Sequence, residues 1–150
     1  MFAVIRLTGN VGISKKTELA LEMLGLKAAN NCVVVPENPS YKGMIKRVKD
    51  YVTYGIIRTE TLSALLSKRG RLEGDKKLDD ASLKAAGCKS ADELAKALME
   101  NKAKLADAKL KKTFRLTPPA HGFKDTMHQY PKGDIGNRGE AINELIERMI

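Results

Sequence analysis

Residues 40–55 read SYKGMIKRVKDYVTYG, with four cations crowded into the eight positions from Lys42 to Lys49. The same stretch has something to bury. At helical spacing Tyr41, Ile45, Val48 and Val52 fall at i, i+4, i+7 and i+11, one continuous apolar stripe. Lys42, Lys46 and Lys49 repeat that spacing one residue later, on a stripe rotated by about 100°. One face can therefore pack while the next stays charged. Arg47 widens the positive surface, and Asp50 is the single acid within it. Asn38 is placed to cap this helix, Pro39 suits its first position because the missing N–H is not needed there, and Gly55 predicts its end.

Upstream, FAVIRLT (2–8) has the alternation of a strand, with Ala3, Ile5 and Leu7 on one face and Phe2, Val4 and Arg6 on the other. The second face is only partly apolar. After the turn GNVG (9–12), Ser14 predicts the N-cap of a helix whose apolar residues are Leu19, Ala20, Met23 and Leu24. Gly25 is placed to close it, and Leu26 to pack after the cap. NNCVVVPE (30–37) is rich in β-branched residues and stopped by Pro36, a second strand. IIRTE (56–60) follows the charged helix as a third. Residues 1–60 thus spell β-α-β-α-β, most economically two amphipathic helices over a small sheet.

Residues 61–150 have a different character. TLSALLSKRG (61–70) predicts a short helix carrying Leu62, Leu65 and Leu66, and DDASLKAAG (79–87) another. SADELAKALMENK (90–102) opens on a capping box, Ser90 with Glu93, ahead of Leu94 and Leu98. From residue 109 to 140 apolar density falls while Lys, Arg, Gly and Pro accumulate, and only TFRL (113–116) resembles a strand. NRGEAINELIERMI (137–150) predicts a final helix with Asn137 as cap and an apolar face of Ala141, Ile142, Leu145, Ile146 and Met149 that must dock on the rest.

At 150 residues the chain can bury a core without disulfides or metal. Its 27 Lys and Arg against 18 acids leave a formal +9, more than solubility requires, which points to a polyanionic partner. Arg6 interrupts the only apolar stretch near the start, unlike a signal peptide, and no run approaches the ~20 apolar residues of a membrane span. A soluble intracellular protein with two unpaired thiols, Cys32 and Cys88, is expected.

Chemistry is sparse. His121 and His128 are not spaced as ligands on one helical face, and no nucleophile motif or P-loop occurs, so no catalytic residue, metal or cofactor is expected. Gly9 and Gly12 make a tight turn or bring amides to a phosphate at a helix N-terminus, with Lys15 and Lys16 alongside. GDIG (133–136) matches a KH-type G-x-x-G but lacks its surroundings and reads as a plain loop. Base stacking is not the main mode, since Trp is absent and aromatics are 5% of residues. What remains are cations on several elements: the Lys42 stripe, Arg6 and Arg58 on sheet faces, Lys68, Arg69 and Arg71 in SKRGR (67–71), and the basic glycine-rich tail with Arg115. That distribution suits the backbone of a large folded RNA.

The stretches VIRLTGNVGISKKTELALEMLGL (4–26), NNCVVVPENPSYKGMIKRVKDYVTYG (30–55) and IGNRGEAINELIERM (135–149) resemble the universal large-subunit ribosomal protein thirty in its long archaeal and eukaryotic form, large-subunit protein seven in eukaryotes. Several segments match in the same order over nearly the whole chain. The resemblance implies an α+β fold: a ferredoxin-like β-α-β-α-β core (1–60), with a three-stranded antiparallel sheet and two helices on one face. A mostly helical extension (61–150) would follow. It also implies a structural, non-enzymatic role in the cytoplasmic ribosome, binding large-subunit ribosomal RNA near the 5S RNA beside other ribosomal proteins. Matching positions put Lys15, Lys16, Lys42, Lys46, Arg47, Lys49, Arg58, His121, Lys124, Lys132 and Arg138 forward as RNA contacts. Two rivals stand beside it. One is a small ferredoxin-like enzyme on phosphate esters or acyl phosphates, cradling the anion at Gly9–Ser14; the other is a basic protein-interaction module.

Overall fold

The computed structural model describes residues 1–72, 74–76, 90–100 and 110–150; the helix expected over 79–87 and Cys88 lie outside them. Strand β1 (Phe2–Arg6) is the centre of a five-stranded sheet. Strand β2 (Asn31–Val35) and strand β3 (Val52–Ile56) flank it, both antiparallel, with Phe2 opposite Val35 on one side and Ile56 on the other. The expected three-stranded antiparallel core is present, and two further strands widen it. Strand β4 (Thr113–Arg115), foreseen in TFRL, pairs antiparallel with β2, while β5 (Gly136–Gly139) pairs parallel with β3.

Helix α1 (Lys15–Leu24) has the expected ends. The Ser14 hydroxyl accepts from Thr17 N–H, and Gly25, at φ 85°, closes the helix while Leu26 N–H reaches back to Leu21 C=O. Its buried residues are Ala20, Leu21 and Leu24; Leu19 and Met23, expected in the apolar face, are exposed. Helix α2 (Pro39–Val48) starts at Pro39 but stops seven residues before Gly55, contrary to the reading of 40–55 as one helix. Tyr51 N–H turns back to Val48 C=O, and Val52, Thr53 and Tyr54 enter β3. A run of β-branched and aromatic residues wins over helical periodicity. Ile57, Arg58 and Thr59 accordingly lie past the strand.

Helix α3 (Thr59–Arg69), helix α4 (Ala91–Met99) and helix α5 (Ile142–Met149) complete the described helices. Ser90 Oγ accepts from Glu93 N–H at the head of α4, as its sequence predicts. Asn137 does not cap α5: it sits in β5, where its Oδ1 accepts from Gly139 N–H. Asn143 ties that helix down, accepting from Arg58 N–H at 2.9 Å and donating to Ile56 C=O at 3.1 Å.

Strand alternation sends β1 into two cores. Ala3, Ile5 and Leu7 join Phe114, Leu65, Leu94 and Ile146 beneath α3, α4 and α5. Val4 joins Leu21, Leu24, Ile45, Val48 and Val52 beneath α1 and α2. The sheet is therefore covered on both faces. Cys32, a free thiol in the first of these cores, has its pKa pushed up to about 12 by burial, as an apolar filler would. No described helix is long and apolar enough to cross a membrane.

The β3–β5 pairing depends on a missing side chain. A Cβ on Gly55 would stand 2.0 Å from Gly139 C=O, so Gly55→Ala forces the two backbones apart. A loss of about 1–3 kcal/mol is expected in urea unfolding, as for an overpacked interior; unchanged stability would mean that β5 does not pair here.

Candidate nucleic-acid interface

The proposed cations separate by what surrounds them. On the α1–α2 face, Lys15, Lys16, Lys46, Arg47 and Lys49 are exposed and make no ion pair among the described residues. Their helices bury Leu21, Leu24, Ile45 and Val48 on the opposite side, so packing and charge occupy different faces of one element. Lys16 and Arg47 line a groove between the helices together with the exposed Leu19 and Met23. Lys42 is committed locally, with Nζ 2.6 Å from Glu37 and 5.9 Å from the Phe2 ring centroid. The Lys42 hydrogen bond and charge hold the Glu37 carboxyl below its usual pKa.

Two predicted contacts leave the exposed set. Arg6 is 2% exposed. Its Nε donates to Thr8 C=O, its Nη1 to Leu26 and Lys27 C=O, and its Nη2 to Gly9 C=O and Asn10 Oδ1. Burial lowers its pKa, with the charge of Glu18 opposing. The reason for the misplacement is topological: a charged residue on the central strand of a doubly covered sheet has no solvent to reach, so it serves loop carbonyls instead. It also explains the turn at Gly9–Gly12, whose Gly9 C=O and Asn10 side chain face inward to this guanidinium. Arg138 is likewise buried, paired with Asp134.

The others sit at several places. Arg58 lies at the head of α3, not on a sheet face, 2.6 Å from Glu140, whose hydrogen bond and charge raise its pKa. Arg69 donates to Ile150 C=O and Thr117 Oγ1, a tie to the last helix, while Lys68 is exposed. Arg71 and Arg115 gather with Lys111 around Asp75, whose carboxyl is held below its usual pKa first by the Lys111 hydrogen bond. His121, Lys124 and Lys132 are exposed on the tail loop. Sequence reasoning missed Arg148, which lines the same pocket as Lys124; the two come together only when α5 docks.

Among the described residues, no three His, Cys, Asp or Glu gather as a metal site. The family described as ribosomal protein L30p/L7e matches residues 2–52, from β1 to the first residue of β3. A large ribosomal subunit protein uL30 of Archaeoglobus fulgidus is 48% identical over 151 residues, covering 99% of both chains. The chain belongs to the ribosomal L30p/L7e family. Proteins of the same name from Methanocella arvoryzae and Methanosphaera stadtmanae are 46% and 42% identical over 152 residues, with 99% and 100% of both chains covered. The similarity to these relatives runs through the tail as well as the core, beyond the stretch that the L30p/L7e description covers, and they are named as ribosomal proteins rather than as enzymes.

Proposed function

We propose that the chain is a structural constituent of the large ribosomal subunit in the cytoplasm, binding and stabilising folded ribosomal RNA through its phosphate backbone, near the 5S RNA and beside other ribosomal proteins. Residues 1–60 supply the main RNA-binding core, and residues 61–150 an extension packed on it. The observation that carries this reading is the set of exposed cations on α1 and α2 that have no acid partner among the described residues, above helix faces already satisfied by the core. Such charge is free to displace counterions from phosphates.

Lys46→Ala with Arg47→Ala tests it in a filter-binding titration against large-subunit ribosomal RNA. Each lost phosphate contact removes about 0.7–0.9 from the slope of log K against log salt, so the pair should flatten it by about 1.4–1.8. An unchanged slope would count against this face. Retention of the protein on its particle after nuclease digestion of the RNA would favour a protein partner instead.

A further inference from the structure

The tail loop and the end of α5 enclose an open pocket of about 320 Å³, whose walls include Phe123, Lys124, Tyr130, Arg138 and Arg148. That volume lies at the small end of the ~300–1,000 Å³ range of ligand pockets, too small for a duplex and sufficient for one nucleotide. Its shape is set from within. Asp134 accepts the backbone N–H groups of Lys124 and Asp125 and pairs with Arg138, while Tyr130 N–H donates to Ile135 C=O. Arg138 lies 5.1 Å from the ring centroid of Tyr130, a residue that is still 41% exposed.

Three features of the walls are unused by the fold. Arg138 Nε has no hydrogen-bond partner among the described residues although the residue is only 7% exposed. Lys124 and Arg148 are exposed and make no ion pair among the described residues. An accessible ring beside two unpaired cations matches an unstacked nucleotide, whose base has a face to stack and whose phosphate needs charge.

We propose that this pocket receives one unstacked nucleotide of the bound RNA, its base against Tyr130 and its phosphate toward Lys124 and Arg148. The inference rests on the RNA-binding reading above and adds a base-stacking site to a surface that otherwise contacts only backbone.

The test uses the full chain with large-subunit ribosomal RNA. Tyr130→Leu should weaken binding about 5- to 150-fold, the worth of one stacked base, without changing the salt slope. Tyr130→Phe should bind as the wild type does. Ultraviolet crosslinking of the wild-type complex should join one nucleotide to the peptide containing Tyr130, a readout that needs no variant to fold. Lys124→Ala with Arg148→Ala should flatten the slope by about 1.4–1.8. Wild-type affinity in Tyr130→Leu, or no crosslink at that peptide, while Lys46→Ala with Arg47→Ala still weakens binding, overturns the pocket and leaves the RNA reading intact. A wild-type protein that binds no RNA overturns both.

Discussion

Arg6→Leu is expected to lower stability by about 3–5 kcal/mol and the melting temperature by about 10 °C. The substitution adds apolar surface to an apolar strand, so simple hydrophobicity would favour it. The loss comes from the acceptors left behind. The carbonyls of Thr8, Gly9, Leu26 and Lys27 and the Asn10 side chain converge on one guanidinium; the Leu26 carbonyl is fully buried, and leaving it without a donor costs about 1–3 kcal/mol, while the part-buried acceptors add smaller losses. These acceptors belong to the turn after β1 and to the end of α1, so Arg6 joins two connections that the helices alone do not hold. Arg6→Lys should recover only part of the loss, because one ammonium cannot reach in all these directions. The RNA salt slope of Arg6→Lys should stay that of the wild type, which separates a structural arginine from a phosphate contact. A melting temperature within about 2 °C of wild type for Arg6→Leu would remove this account.

Asp134→Asn carries the second large effect. It keeps the size of the side chain and removes its charge, leaving the Arg138 cation buried without a counterion, for an expected loss of about 3–5 kcal/mol. Burial is the largest single influence on Asp134 and by itself would raise its pKa. The Arg138 hydrogen bond, the Asp125 and Lys124 amides and the Arg138 charge together outweigh it, so the folded pKa is lowered. The stabilisation is therefore complete above the unfolded carboxyl's value near ~4 and is lost as pH falls through the lower folded value. Acid unfolding of Asp134→Asn should be correspondingly flatter in that range, and the amides of Lys124 and Asp125 should exchange faster at neutral pH. Equal exchange in both proteins would mean that the carboxylate does not hold the loop.

How far these features can be read from the chain depends on the range of the interaction. Ser14, Gly25 and Ser90 act on neighbours within five positions, and their local signals placed helix ends correctly. The end of α2 was obscured by coincidence: Val52 continues the stripe of Ile45 and Val48 and is buried in the same core, but from a strand. In α1 Leu19 with Met23 and Leu21 with Leu24 face directions about 150° apart at about 100° per residue, and the position of α2 and the sheet decides that the second pair is buried. Strand β5 carries no β-branched residue; it exists because two glycine backbones can approach, a contact between positions 55 and 139. For the site, the exposure of Lys42, Lys46 and Lys49 followed from helical phase, while Lys15 and Lys16 were placed by the first turn of α1. Arg6 and Arg138 did not, because a formal charge does not tell whether its nearest partner is solvent, an acid or a carbonyl. Arg6 did leave a trace, as the lone cation in a central apolar strand.

Because β1, β2 and β3 all come from the first 56 residues, the middle of the sheet can assemble while the remainder is still being synthesised. At that moment α1 and α2 already shield one side, but Ala3, Ile5, Cys32 and Val34 face water until residues from 59 onward arrive. A nascent chain paused there presents a sticky, greasy plane flanked by cations, a natural client for a chaperone and a hazard beside another copy of itself. Premature termination after β3 should therefore yield aggregates rather than a small working domain.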